Sequence, residues 1–202
     1  MNGTEMEVKF CLSKEEVMRI RNSLLEECGV PKKIIEVTAL YDDKYSTFLR
    51  TGETLRIRVI CSSLPGIEGL KIQSASLDYK GASFGDKVNS RIELSEPIPD
   101  FLQIPEISRR IRARGMNCVF LYIKRKEEWS FLKAKTSIDD LTWLGEFLEI
   151  EGDEKEIERA VKLLNLTNKL NISKTTYQLY GRFSEVFNGF PRWMTPSIKF
   201  IL

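Results

Sequence analysis

Two short stretches carry carboxylates at a spacing that could hold a metal ion. Glu5, Glu7 and Lys9 occupy every second position, with Met6, Val8 and Phe10 among them, and Glu149 and Glu151 alternate in the same way with Leu148 and Ile150. An extended chain sends successive side chains to opposite faces, so each charged set shares one face and its apolar neighbours share the other. Carboxylates at i and i+2 on two strands suit magnesium or manganese, which take oxygen ligands and keep waters that can bridge to phosphate.

Basic residues repeat the pattern. Arg56 and Arg58, Lys124 and Lys126, and Lys133 and Lys135 form i, i+2 pairs, joined by the mixed pairs Asp78/Lys80 and Arg91/Glu93. Lysines and arginines on several walls suit phosphate oxygens, and an arginine can grip two at once. The opposite faces of these strands are largely apolar, as are the helices that would cover them. With helices outside, the charged faces must point inward, and an antiparallel sheet curled into a barrel with an ionic lumen satisfies both demands. Such a lumen is costly alone, because like charges repel and buried charges lose hydration. A polyphosphate with its metal answers both the acids and the bases. A flat sheet with one solvated face would give the same alternation, but not the gathering of acids on the first and late strands with bases between.

The whole chain bounds the chemistry further. Its 202 residues, 42% hydrophobic and 30% charged, are enough for a folded protein with a sizeable core. The 31 basic and 29 acidic residues nearly cancel, which argues against a stable nucleic-acid partner or a membrane-surface protein. Histidine is absent, which removes Ser-His-Asp and Cys-His catalysis and the commonest general base near neutral pH. Cys11, Cys28, Cys61 and Cys118 are widely separated, so a zinc site of the usual kind is not expected. No secretory segment opens the sequence and no apolar run could span a bilayer, so we expect reduced thiols in a cytoplasmic protein.

The elements that must position these residues can be read in order. Ser13 and Glu16 form a capping box for a helix whose Val17, Ile20, Leu24 and Leu25 face inward and which stops at Gly29, before Pro31. Strands are expected over 34–41 and 54–60, with a connection over 42–52. Two short extended pieces are expected at 70–72 and 76–80, then a turn at 81–86 and a strand at 88–94. A helix over 104–114, ended by Gly115, carries Arg109, Arg110, Arg112 and Arg114 on a solvated face. Strands over 119–126, 129–135 and 144–151 follow, with a turn at 139–141, then a helix over 154–166 and a short strand or turn at 175–179. Residues 182–202 change character: Phe183, Phe187, Phe190, Trp193 and Phe200 stand among Gly189, Pro191 and Pro196. We expect an aromatic tail that packs, covers the site or contacts a second subunit.

Taken in order, these residues resemble the CYTH domain, or triphosphate tunnel metalloenzyme, family, which includes class IV adenylyl cyclases, thiamine triphosphatases and inorganic triphosphatases. Glu5-Met6-Glu7-Val8-Lys9 matches its E-x-E-x-K signature, and the likeness continues through Tyr41-Asp42, residues 52–58, 77–81, 91–93, 123–126, Asp139 and 144–151. The resemblance implies an α+β fold: a closed eight-stranded antiparallel β-barrel over residues 1–181, open at both ends, with helices packed outside. It assigns Glu5, Glu7, Glu149 and Glu151 to a Mg2+ or Mn2+ ion. Lys9, Arg56, Arg58, Lys80, Arg91, Lys124 and Lys126 would bind substrate, with Glu5, Glu7 and Lys9 as the catalytic set. The expected function is metal-dependent hydrolysis of an inorganic, organic or nucleoside triphosphate. Conversion of ATP to cyclic AMP and pyrophosphate is the enzymatic alternative, and a non-catalytic nucleotide or polyphosphate sensor is a second. The histidine near the N-terminus of some cyclase-type members is absent, which favours hydrolysis. The aromatic tail and antiparallel sheet edges are compatible with a homodimer.

Overall fold

The structure, a computed structural model, describes residues 2–63, 70–84, 88–141 and 144–186; for residues 2, 3, 5, 63, 70 and 182–186 only the backbone is described. Among these, eight strands close into a barrel: β1 (Asn2–Cys11), β2 (Lys32–Asp42), β3 (Thr54–Ser63), β4 (Leu70–Lys80), β5 (Asn89–Pro97), β6 (Asn117–Phe131), β7 (Ala134–Leu141) and β8 (Gly145–Glu151). Their order around the wall is β1-β5-β4-β3-β2-β6-β7-β8, every neighbouring pair antiparallel. Closure leaves no unpaired edge. It also puts β1 beside β8, with Glu7 opposite Glu151 and Lys9 opposite Glu149.

Helices cover the outside, as their sequence patterns require. Helix α1 (Lys14–Cys28) begins with the expected reciprocal cap, Ser13 N–H donating to Glu16 at 2.7 Å and Glu16 N–H to the Ser13 hydroxyl at 3.3 Å. It ends at Gly29, whose φ of 77° favours glycine. Its Val17, Ile20 and Leu24 pack with α4 (Glu154–Leu163) over Val8, Phe10, Trp129, Ile138, Leu148 and Ile150, the outward faces of β1, β6, β7 and β8. On the far side α3 (Ile104–Ala113) lays Ile111 over Tyr41, Ile57 and Ala75. No helix among the described residues is long and apolar enough to cross a membrane.

Several local expectations are corrected. The two pieces at 70–72 and 76–80 are one strand, β4, carried through its polar residues by pairing with β3. The 42–52 connection contains a short helix, α2 (Thr47–Thr51), whose first amides donate to the buried Asp42 carboxylate. Residues 129–135 are not one strand: Leu132 and Lys133, at φ 54° and 69°, turn the chain between β6 and β7. Lys133 therefore shares no strand face with Lys135. Residues 139–141 are the end of β7 rather than a turn, which places Asp139 in the wall. The helix after β8 ends at Leu163, short of residue 166. Residues 175–179 open a helix, α5 (Thr176–Val186), which crosses the expected boundary at 181/182; the tail from 187 lies outside the described residues.

Helix α5 also changes the shape of the lumen. The inward residues at one end of the barrel, Leu40, Phe120, Tyr122, Leu141 and Phe147, are apolar or aromatic and pack against Tyr177 and Tyr180. The segment before α5 is tied across that end. Ile172 N–H donates to the Lys9 carbonyl at 2.7 Å, Lys9 N–H to Asn171 at 2.9 Å, and Gln178 reaches the Leu49 carbonyl at 3.3 Å. The expectation of a tunnel open at both ends is corrected: one mouth is filled, because its lining is apolar and α5 supplies the apolar cover.

The α1/α4 core should behave as a close-packed interior. Leu148→Ala, at a fully buried β8 position, is expected to lower unfolding free energy by about 2–5 kcal/mol, measured by urea denaturation.

Candidate functional site

Every strand contributes charge to the lumen, because inward positions recur at every second residue. The walls supply Glu7 and Lys9 from β1, Arg91 and Glu93 from β5, Asp78 and Lys80 from β4, Arg56 and Arg58 from β3, and Glu36 from β2. Lys124 and Lys126 come from β6, Lys135 and Asp139 from β7, and Glu149 and Glu151 from β8. Most of these charges meet an opposite charge on a neighbouring strand. Arg91 pairs with Glu7; Lys9 lies 2.9 Å from Glu149, Lys124 2.7 Å from Asp139 and Lys80 3.5 Å from Glu93. Arg56 and Arg58 each lie 3.0 Å from Asp78, and Arg56 reaches Glu36 at 3.6 Å.

Apart from the fully buried Asp78 and Asp139, these side chains line a cavity of about 310 Å³. Of the eleven site residues expected from sequence, ten line it: Glu7, Lys9, Arg56, Arg58, Lys80, Arg91, Lys124, Lys126, Glu149 and Glu151. The eleventh, Glu5, lies on β1 opposite Arg91, and its side chain is outside the described residues. Lys135 and Glu93, read from sequence only as members of charged faces, line the same cavity. Glu36 was missed altogether. It is one acid in the otherwise uncharged run 34–41, and only its shared face with Thr38 and Leu40 could have marked it. Arg109, Arg110 and Arg112 of α3, and Arg114 just beyond it, do not line the cavity; Arg109 and Arg110 both pair with Glu106 on the surface.

The donor chemistry fits a hard divalent cation. Glu7 and Glu151 face each other across neighbouring strands, a like-charge juxtaposition that destabilises a sheet unless a cation sits between or beside the pair. Arg91 meets Glu7 and Lys135 meets Glu151 at 3.1 Å, so each acid also has a basic partner. Among the described residues, no three acidic or thiol groups converge closely enough to hold an ion by themselves. Glu149 in particular is turned to Lys9, Lys124 and Lys126.

Burial and pairing pull the titrating groups in opposite directions. Burial disfavours a charged Glu149, but Lys124, Lys9 and Lys126 outweigh it and hold the carboxyl well below its ordinary range. Burial likewise opposes ionisation of Glu36, and Lys124, Arg56, Arg58 and Lys126 overcome it. Asp139 goes the other way, raised by burial and by Glu149. For Lys9 and Lys124 burial is outweighed by the facing carboxylates, and both are raised.

A folded-state pKa below the unfolded value contributes stability above the unfolded pKa, and that stability is lost as pH falls. Glu36 and Glu149 therefore stabilise the fold above their ordinary value of 4.5 and cease to do so in acid, while Asp139 partly offsets them. The thermal midpoint should fall as pH is lowered from about 5 to about 3, with a shallower slope in Glu36→Gln. Equal slopes in scanning calorimetry would contradict the assignment.

Comparison with known proteins agrees with this geometry. The model of the CYTH domain matches residues 3–179. No curated protein sequence matches the chain. Among solved structures, protein PH1819 of Pyrococcus horikoshii OT3 superposes with a TM-score of 0.69 at 23% identity, covering 89% of this chain and 99% of that one. HpAC1 of Hippeastrum, named for adenylyl cyclase and described with a dominant triphosphatase activity, gives 0.64 at 13% identity over 95% and 100%. A candidate adenylate cyclase of Vibrio parahaemolyticus gives 0.63 at 16% identity over 90% and 99%. At these identities the likeness is one of fold.

Proposed function

The chain belongs to the CYTH domain family, the triphosphate tunnel metalloenzymes, and from that premise we propose that it hydrolyses a triphosphate held in the barrel lumen, with a divalent cation. The observation that carries the proposal is the convergence of ten expected acids and bases on one cavity. A single charged strand face could be solvated by chance. Charges from all eight strands, enclosed by a barrel, call for a compact and highly charged ligand.

The residues divide the work by charge. Lys9, Arg56, Arg58, Lys80, Arg91, Lys124 and Lys126 bind the phosphate oxygens, exchanging carboxylate partners for phosphoryl ones. Magnesium or manganese held by Glu5, Glu7, Glu149 and Glu151 would neutralise phosphate charge and activate a water for in-line attack. Release of Glu7 by Arg91, and of Glu149 by the lysines, frees acid oxygens as the bases turn to substrate. Two features favour a small substrate. The cavity, at about 310 Å³, lies at the low end of the ~300–1,000 Å³ of small-ligand sites. Its filled mouth also leaves little internal room for a nucleoside. We therefore favour inorganic triphosphate, or an organic triphosphate whose organic group stays in the open mouth.

A panel of inorganic triphosphate, ATP, GTP and thiamine triphosphate, each with magnesium or manganese and scored for products, tests the proposal. Phosphate release is expected. Cyclic AMP and pyrophosphate from ATP would move the assignment to cyclisation, and tight binding without turnover would make the protein a sensor.

Glu7→Gln and Glu149→Gln are each expected to lower kcat by ~10²-fold or more with an unchanged circular dichroism spectrum; wild-type rates in both would refute the acid assignment. Lys9→Ala should chiefly raise KM.

A further inference from the structure

Asp78 is fully buried and, unlike the arginines it touches, does not line the cavity. It lies behind them. Its Oδ2 accepts from Arg56 Nε at 3.0 Å and forms an ion pair, without a hydrogen bond, with Arg58 Nε at 3.0 Å, while its Oδ1 accepts from the Ser95 hydroxyl at 2.7 Å. Register explains the arrangement: Arg56 and Asp78 face each other across β3 and β4, Asp78 faces Ser95 across β4 and β5, and Arg58 is two residues further along the same inward face. A guanidinium is planar and carries five N–H donors, one on Nε and four on the two terminal nitrogens. When a carboxylate at the base of the wall engages the Nε edge, the terminal nitrogens project the other way.

We propose that Asp78 is a positioning residue: anchored by Ser95, its carboxylate holds the Nε edge of Arg56 by a hydrogen bond and draws Arg58 beside it by ion pairing, presenting the two guanidiniums to the lumen as a paired clamp for phosphoryl oxygens. The inference rests on the triphosphate reading of the cavity and deepens it, separating acids that would leave their bases for a cation from one that stays behind. Glu7, Glu149 and Glu151 line the cavity and can change partners; Asp78 is fully buried and does not line it. A lysine ammonium is a point charge on a flexible stem with no Nε fork, so Asp78 could not aim it in this way.

Two measurements on the full chain test the proposal. The first is direct: in ¹⁵N spectra the Arg56 Nε–H signal should be protected from exchange with water, and Asp78→Asn should abolish that protection. Unchanged protection overturns the proposal whatever the lumen binds. The second is calorimetric affinity for inorganic triphosphate with magnesium. Asp78→Asn should weaken it by ~10–100-fold, the scale of a misplaced binding group. In an Arg56→Lys/Arg58→Lys background the same change should cost under about threefold. Equal losses in both backgrounds, or tighter binding in Asp78→Asn, also overturn it.

Should Asp78→Asn not fold, Ser95→Ala removes the anchor and keeps the charge. It should give a smaller loss of affinity in the same direction, again suppressed in the lysine background; an unchanged affinity overturns the proposal. If the wild-type protein binds no triphosphate, the functional reading fails while the exchange measurement still decides the role of Asp78.

Discussion

A charge taken out of water must meet an opposite charge, and this lumen holds charges from every strand of the barrel. Removing one partner of a buried pair costs ~3–5 kcal/mol, much of it from the charge left behind. The wall meets that demand by alternating signs across strand pairs, Glu7 with Arg91, Lys9 with Glu149 and Lys124 with Asp139. The pattern needs closure. In an open sheet β1 and β8 would be edges, and neither the Lys9–Glu149 pair nor the Glu7/Glu151 opposition would form.

The same belt makes the site responsive to a ligand. Each base already lies against a carboxylate, so the lumen is close to balanced and its side chains are held in position by one another. A polyphosphate offers the bases stronger partners, since charge-assisted and bidentate bonds to phosphate are among the strongest available to arginine. Acids released in that exchange are oxygen donors, the ligand type a hard divalent cation takes. On the proposed function, binding of anion and cation would be two halves of one rearrangement, favourable together and costly apart.

The filled end gives the lumen a direction. Tyr177 and Tyr180 of α5 close over Leu40, Phe120, Tyr122, Leu141 and Phe147, and the hydrogen bonds of Asn171 and Ile172 to β1 fasten the approach to that helix. Apolar packing at one end and ionic pairing in the middle are separate cores inside a single barrel.

Much of this was legible in the chain because strand geometry is local. A period of two in Glu5–Phe10 or Phe147–Glu151 sorts side chains onto faces without reference to the rest of the protein, and apolar outer faces with apolar helices leave inward as the direction for charge. Capping at Ser13 was equally readable, since it depends on residues three apart. Tertiary structure alone decided what depends on neighbours distant in sequence. Glu36 stood singly in its strand, and only pairing with β6 and β3 surrounded it with bases. The Leu132–Lys133 turn lacked the glycine or asparagine that announces positive φ, and strand pairing on both sides imposed it. The filled mouth came from residues 171–180, whose role appears only where α5 meets the apolar end of the wall. Alternation specifies which face a side chain takes, whereas its partner is chosen by which strands the closed barrel makes adjacent.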